Sequence, residues 1–168
     1  MAKARIHFFT ILTMVIFVSL GMATDQQGGG SIFQAKLLGN EEVPPVETKA
    51  KGEITLRLNK GEEELIYRLT LTDIGEVTSA HIHAGRRGAK GEPIVTLFTE
   101  PKKRDISGTL YAEGTIAAYQ LVGSLKGESP DCLLQMMKAG ETHVNVCTKK
   151  HPDGEIRGQI ELIKGMKQ

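Results

Sequence analysis

The chain has 168 residues, a formal net charge of +1, 40% hydrophobic residues, 5% aromatic residues and no tryptophan. That is enough chain for one domain, and the balance of Lys+Arg 21 against Asp+Glu 20 leaves no basic surplus to draw it to nucleic acid or an anionic membrane. With so few rings the core must be built from Val, Ile and Leu, which suits strands better than a cofactor pocket walled with aromatic rings.

Lys3 and Arg5 precede an apolar run from Phe8 to Met22 that ends in small residues around Gly21 and Ala23. This is the pattern of a secretory signal peptide, residues 1–23, cut near Ala23. The apolar run is shorter than the roughly 20 residues a spanning helix needs, so stable membrane insertion is the weaker reading. Thr24 to Ser31, with Gly28, Gly29 and Gly30, reads as a flexible leader, and residues 32–163 as the folded domain. Export gives Cys132 and Cys147 an oxidising compartment, where a disulfide is the default. Such a bridge closes a loop of about 15 residues and is worth about 3 kcal/mol when unstrained.

Ile32 to Leu38 predicts a first strand, stopped by Asn40-Glu41-Glu42-Val43-Pro44-Pro45-Val46, because proline lacks an N–H donor and extends the residue before it. In Gly52 to Leu58, Ile54, Leu56 and Leu58 alternate with polar residues. After a turn at Asn59 to Glu62, Leu65, Tyr67, Leu69 and Leu71 do the same, so the two runs form a hairpin. Val77 to His83 is the next strand, followed by a loop carrying Gly85, Gly88 and Gly91, with Arg86, Arg87 and Lys90 making its tip basic. Its glycine spacing is neither a dinucleotide-binding loop nor a collagen repeat; the glycines supply positive φ in a long turn.

Ile94 to Phe98 is a short strand, Glu100 to Asp105 a charged loop, and Ile106 to Ile116 a strand interrupted by Gly108 and Gly114. Tyr119 to Leu125 follows. Ser129 before Pro130 is a helix start, and Cys132 to Lys138 makes about two turns ended by Gly140. Thr142 to Thr148 and Glu155 to Leu162 form a last hairpin around Lys149 to Gly154. Val144, Val146, Ile156, Ile160 and Leu162 turn inward; His143, Asn145 and Cys147 share the outer face with Glu155, Arg157 and Gln159. Cys147 then lies opposite Glu155, and Asn145 opposite Arg157, in reach of cross-strand hydrogen bonds. About eight short strands with one short helix predict an all-β domain, an antiparallel Greek-key β-sandwich.

His81 and His83 stand on one face of their strand, with Ala80, Ile82 and Ala84 on the other. Two readings are open. The pair is half of a copper or zinc site, since neutral imidazole suits both metals, or it is packed and hydrogen-bonded for structural reasons. No spacing of serines, histidines and carboxylates brings a nucleophile to a base and an orienting group.

Asn40 to Val46, the stretch Ala80-His81-Ile82-His83-Ala84-Gly85 leading through Gly88 and Gly91 to Ile94-Val95, and Val144-Asn145-Val146 followed by Asp153-Gly154-Glu155-Ile156-Arg157-Gly158-Gln159 together resemble the CHRD domain, from about Ile32 to Leu162. The resemblance implies an extracellular β-sandwich module, repeated in chordin and single in exported microbial proteins, with no catalytic residues to carry over. The family's position after Val-Asn-Val is typically His, and here it is Cys147. Were the family's three histidines a metal site, this chain would offer His81, His83 and the Cys147 thiolate, with His143 or His151 as a fourth ligand. A bridge to Cys132 would remove Cys147 from that set. His-x-His before a Gly-rich loop is also loosely similar to the copper site of Cu/Zn superoxide dismutases. A dismutase needs further histidines, and once His7 leaves with the signal only four of the five remain, so this reading ranks last. First comes an exported, non-catalytic binding or structural module of unknown extracellular or periplasmic ligand, and copper or zinc binding comes second.

Overall fold

The computed structural model describes residues 30–59, 64–99 and 108–164. The expected signal peptide, most of the leader, most of the turn at Asn59 to Glu62, the charged loop at Glu100 to Asp105 and the start of the strand expected from Ile106 lie outside the described residues. Among those described, no helix is long and apolar enough to cross a membrane.

Nine strands are described: β1 Ile32–Leu38, β2 Lys51–Asn59, β3 Glu64–Thr72, β4 Val77–Ala84, β5 Pro93–Phe98, β6 Leu110–Ile116, β7 Thr142–Thr148, β8 Ile156–Gln159 and β9 Glu161–Lys164. All pair antiparallel, in the order β5-β4-β7-β8-β1-β2-β3-β6, with β9 also on β1. The all-β class is as expected. The two faces of the expected sandwich are halves of one continuous sheet, joined through β1, whose one side pairs with β2 and whose other side takes β8 at Leu38 and β9 at Ile32 to Gln34.

Period-two alternation builds the interior. Phe33 and Leu37 of β1, Ile54 and Leu56 of β2, and Leu65, Tyr67, Leu69 and Leu71 of β3 are buried, as are Ala80 and Ile82 of β4 and Val144 and Val146 of β7. The sheet rolls until its two ends approach: the Tyr67 hydroxyl on β3 donates to the Leu97 carbonyl on β5 at 3.0 Å. The outer edge of β5 takes an isolated bridge, Val95 to Leu121, and a hydrogen bond from Val122 N–H to the Ile94 carbonyl. A covered edge is a poorer template for pairing with another chain.

The helix, α1, spans Pro130–Lys138. Ser129 caps it by accepting from the Asp131 N–H at 3.2 Å, with proline in the first turn where its missing donor costs nothing. Leu133, Leu134 and Met137 bury its apolar face. Three expectations need correction. The last strand is broken at Ile160, whose N–H bonds the Thr142 carbonyl, into β8 and β9. Beyond that break Leu162 is 43% exposed rather than inward. Cys132 and Cys147 are both free thiols, so the expected disulfide is not formed. Cys132 sits in the first turn of α1 beside Glu128, while Cys147 sits on β7 with its thiol bonded to Ser79.

Candidate functional site

The site begins as a polar face on three neighbouring strands. Along β4 and β7 the partners are Ser79 with Cys147, His81 with Asn145 and His83 with His143; along β7 and β8 they are Asn145 with Arg157 and His143 with Gln159. The shared outward face was expected, but it is not open to solvent: His143 is 1% exposed, Arg157 3% and Asn145 8%. Loops cover it. Residues 85–92 lie between β4 and β5, residues 39–50 between β1 and β2, and residues 149–155 between β7 and β8.

Several polar groups of this face are tied to those loops. His83 Nδ1 lies 3.3 Å from the Gly91 carbonyl and His143 Nδ1 lies 3.4 Å from the Gly85 carbonyl, so both rings act as donors holding the glycine loop. Arg157 Nη2 donates to the Ala89 carbonyl at 2.6 Å, and Gln159 Nε2 donates to the Gly140 and Thr142 carbonyls at 2.8 Å. Gly91 has φ +61°, and a Cβ there would collide with the Ala84 carbonyl.

The three histidines form a row. His81 and His83 meet edge to face with centroids 6.1 Å apart, and His83 stacks on His143 at 5.3 Å. Burial lowers the pKa of all three, with His143 brought down to about 4 and further disfavoured as a cation by the Arg157 guanidinium. Among the described residues no three His, Cys, Asp or Glu side chains are grouped to hold a metal ion. The set His81, His83 and Cys147, with His143 or His151, therefore gains no support. Burial also raises the Cys147 thiol, which disfavours the thiolate a metal would need.

Beside this row lies a cleft of about 460 Å³, bounded by Glu42 to Val46 from the β1–β2 loop, Lys90 and Gly91 from the glycine loop, Lys150 to Gly154 from the last hairpin, and His83, Asn145 and Arg157 from the sheet. Three of its polar atoms are buried without a hydrogen-bond partner among the described residues: Glu42 Oε1, Asn145 Oδ1 and His151 Nε2. Glu42 is 7% exposed. Burial pushes its carboxyl up to about 7, against the opposing pull of Arg157, a hydrogen bond from the Val43 N–H, and Lys90. Gly154, at φ +136°, packs closely against these groups and admits no side chain: a Cβ there would clash, lying 2.5 Å from Asn145 Oδ1 and 2.8 Å from Glu42 Oε1.

Asn145 does face Arg157 across the ladder, as expected, but each bonds elsewhere: Asn145 Nδ2 donates to the Asp153 carbonyl at 3.1 Å. Glu155 is 5% exposed and accepts from the Thr48 and Thr148 hydroxyls at 2.7 and 2.6 Å, fixing the β1–β2 loop to the last hairpin. It does not pair with Cys147. The sequence reading missed Glu42 and Gly154. Glu42 lies in a segment that reads as a strand stop, and the only signal there is that this segment carries part of the family pattern.

A rolled antiparallel sheet with long loops folded over one polar face is the class of molecule this geometry defines. The chain belongs to the CHRD domain family, whose model matches residues 33–160. No solved structure matches the chain.

Proposed function

We propose that this CHRD chain is an exported, non-catalytic binding module whose ligand occupies the cleft between Glu42, Asn145 and His151. One observation carries the reading: Glu42 Oε1, Asn145 Oδ1 and His151 Nε2 are buried, unpartnered among the described residues, and line the same cavity. An unsatisfied buried polar atom costs about 1–3 kcal/mol, so three in one place mark a cleft built to be filled. The residues lining it include no Ser, Thr or Cys, so no hydroxyl or thiol nucleophile of those types faces the ligand. Export rests on the charged and apolar pattern of residues 1–23.

The test is amide chemical-shift mapping of the labelled protein against a panel of small anions, cations, amino acids and polyols. Shifts clustered at residues 42–46, 90–91, 145 and 150–154 support the reading. Saturable binding mapped to another surface, or none at all, overturns it. Amino-terminal sequencing of protein recovered outside the cell checks the expected cut near Ala23; an intact amino terminus in that fraction refutes it.

A further inference from the structure

We propose that the cleft binds a small amino carboxylate, its primary ammonium held by Glu42 Oε1, Asn145 Oδ1 and His151 Nε2 and its carboxylate turned toward Lys90 and Lys150. This rests on the cleft being the binding site and names the chemistry it takes.

The unpartnered atoms decide the deep end. Glu42 Oε1 is an acceptor when ionised, and Asn145 presents Oδ1 because its Nδ2 already donates to the Asp153 carbonyl. His151 Nε2 accepts in the tautomer protonated at Nδ1. Both oxygens lie beside Gly154, so close that a Cβ there would clash with Asn145 Oδ1, Asn145 Nδ2 and Glu42 Oε1. With Glu42 ionised, a ligand atom reaching that end must bring hydrogen-bond donors. A primary ammonium brings three N–H donors and no acceptor, one for each free atom. A carboxylate or phosphate oxygen placed there brings acceptors and meets Glu42 with like charge.

The remaining charges decide the other end. Arg157, Lys90 and Lys150 line the cleft against Glu42 and Asp153, so a simple alkylammonium would enter a cavity already carrying more basic than acidic groups. Arg157 is engaged with the Ala89 carbonyl, whereas Lys90 and Lys150 are exposed at the rim. A carboxylate on the same molecule offsets that excess. Val43, Pro44, Val46 and Pro152 supply an apolar wall for the methylenes between the two charges, and a volume of about 460 Å³ restricts the ligand to a small molecule.

The experiment is calorimetric titration of the full chain with glycine, β-alanine and 5-aminopentanoate, and with methylammonium and acetate as the separate halves, each repeated by amide shift mapping. At least one amino carboxylate is expected to bind about tenfold or more tighter than either half. Glu42→Gln, which keeps the shape and removes the charge, should weaken it by a similar factor. His151→Gln, at a half-exposed position, serves if Glu42→Gln does not fold. Lys90→Ala with Lys150→Ala should weaken the amino carboxylate while methylammonium binds no more weakly than to the parent chain, since two positive charges are removed from the cleft. Acetate binding as tightly as the amino carboxylates, or unchanged affinity in Glu42→Gln, overturns the proposal. If a neutral polyol shifts the cleft amides and no amino carboxylate does, the ammonium assignment falls and the cleft stands as the site. If no compound shifts them, both fall.

Discussion

Glu42 and His143 titrate in opposite senses, and the sign of each follows from its burial. The Glu42 carboxyl, facing Arg157 and Lys90, is raised from 4.5 to about 7, so the folded chain holds a proton that the unfolded chain has lost. Its contribution to stability is full below about 4.5 and is lost as pH rises through about 7, at no more than about 1.4 kcal/mol per pH unit. His143, beside Arg157 and His83, is lowered from 6.5 to about 4; its contribution is full above 6.5 and is lost as pH falls toward about 4. In urea unfolding across this range, Glu42→Gln should gain on the parent chain as pH rises, and His143→Gln should gain as pH falls. Parallel pH profiles for parent and variant would show that burial does not perturb that group. The outward face of His143 was legible from alternation on its strand. Its burial was not, because the loop that covers it comes from residues 85–92, some fifty positions earlier in the chain.

At the scale of elements, the strands and the helix are local in origin and the loops are not. The run Leu65, Tyr67, Leu69 and Leu71 repeats every second residue and needs only a pleated backbone to sort its faces, and Ser129 before Pro130 starts α1 by geometry within one turn. The conformation of the glycine loop depends instead on distant donors: Arg157, His143 and Gln159. Replacing Arg157 with Leu removes the donor to the Ala89 carbonyl and the positive neighbour of Glu42. The expected cost is about 3 kcal/mol, as for one partner removed from a buried charged network. Hydrogen exchange locates the damage: amides of residues 85–91 should lose protection while the β1–β2–β3 ladder keeps its own. Uniform loss across the sheet would mean that Arg157 supports the whole fold rather than this loop.

On the scale of the whole molecule, the positions of most strands and their antiparallel direction could be read from the sequence, but the break at Ile160 and the strand order could not. Pairing of β4 with β7, and of β1 with β8 and β9, joins segments far apart in the chain, and period-two patterning assigns faces without choosing partners. The disulfide expectation failed for a related reason, since spacing in sequence does not set the distance between two side chains. Both thiols of the folded, unreduced protein should remain alkylatable after unfolding, and reductant should leave its melting temperature unchanged. The closure of the sheet gives the sharpest molecular test. Tyr67 is 3% exposed and its hydroxyl bridges β3 to β5 through the Leu97 carbonyl, so Tyr67→Phe keeps the buried ring and deletes only that link. The lost hydrogen bond and the stranded carbonyl together should cost about 1–3 kcal/mol. If that bond holds the two ends of the sheet together, amides of β5 should exchange faster in the variant while those of β1 and β2 change little. Equal acceleration everywhere would assign the cost to the core as a whole and leave the closure to the covered edge at Val95 and Leu121.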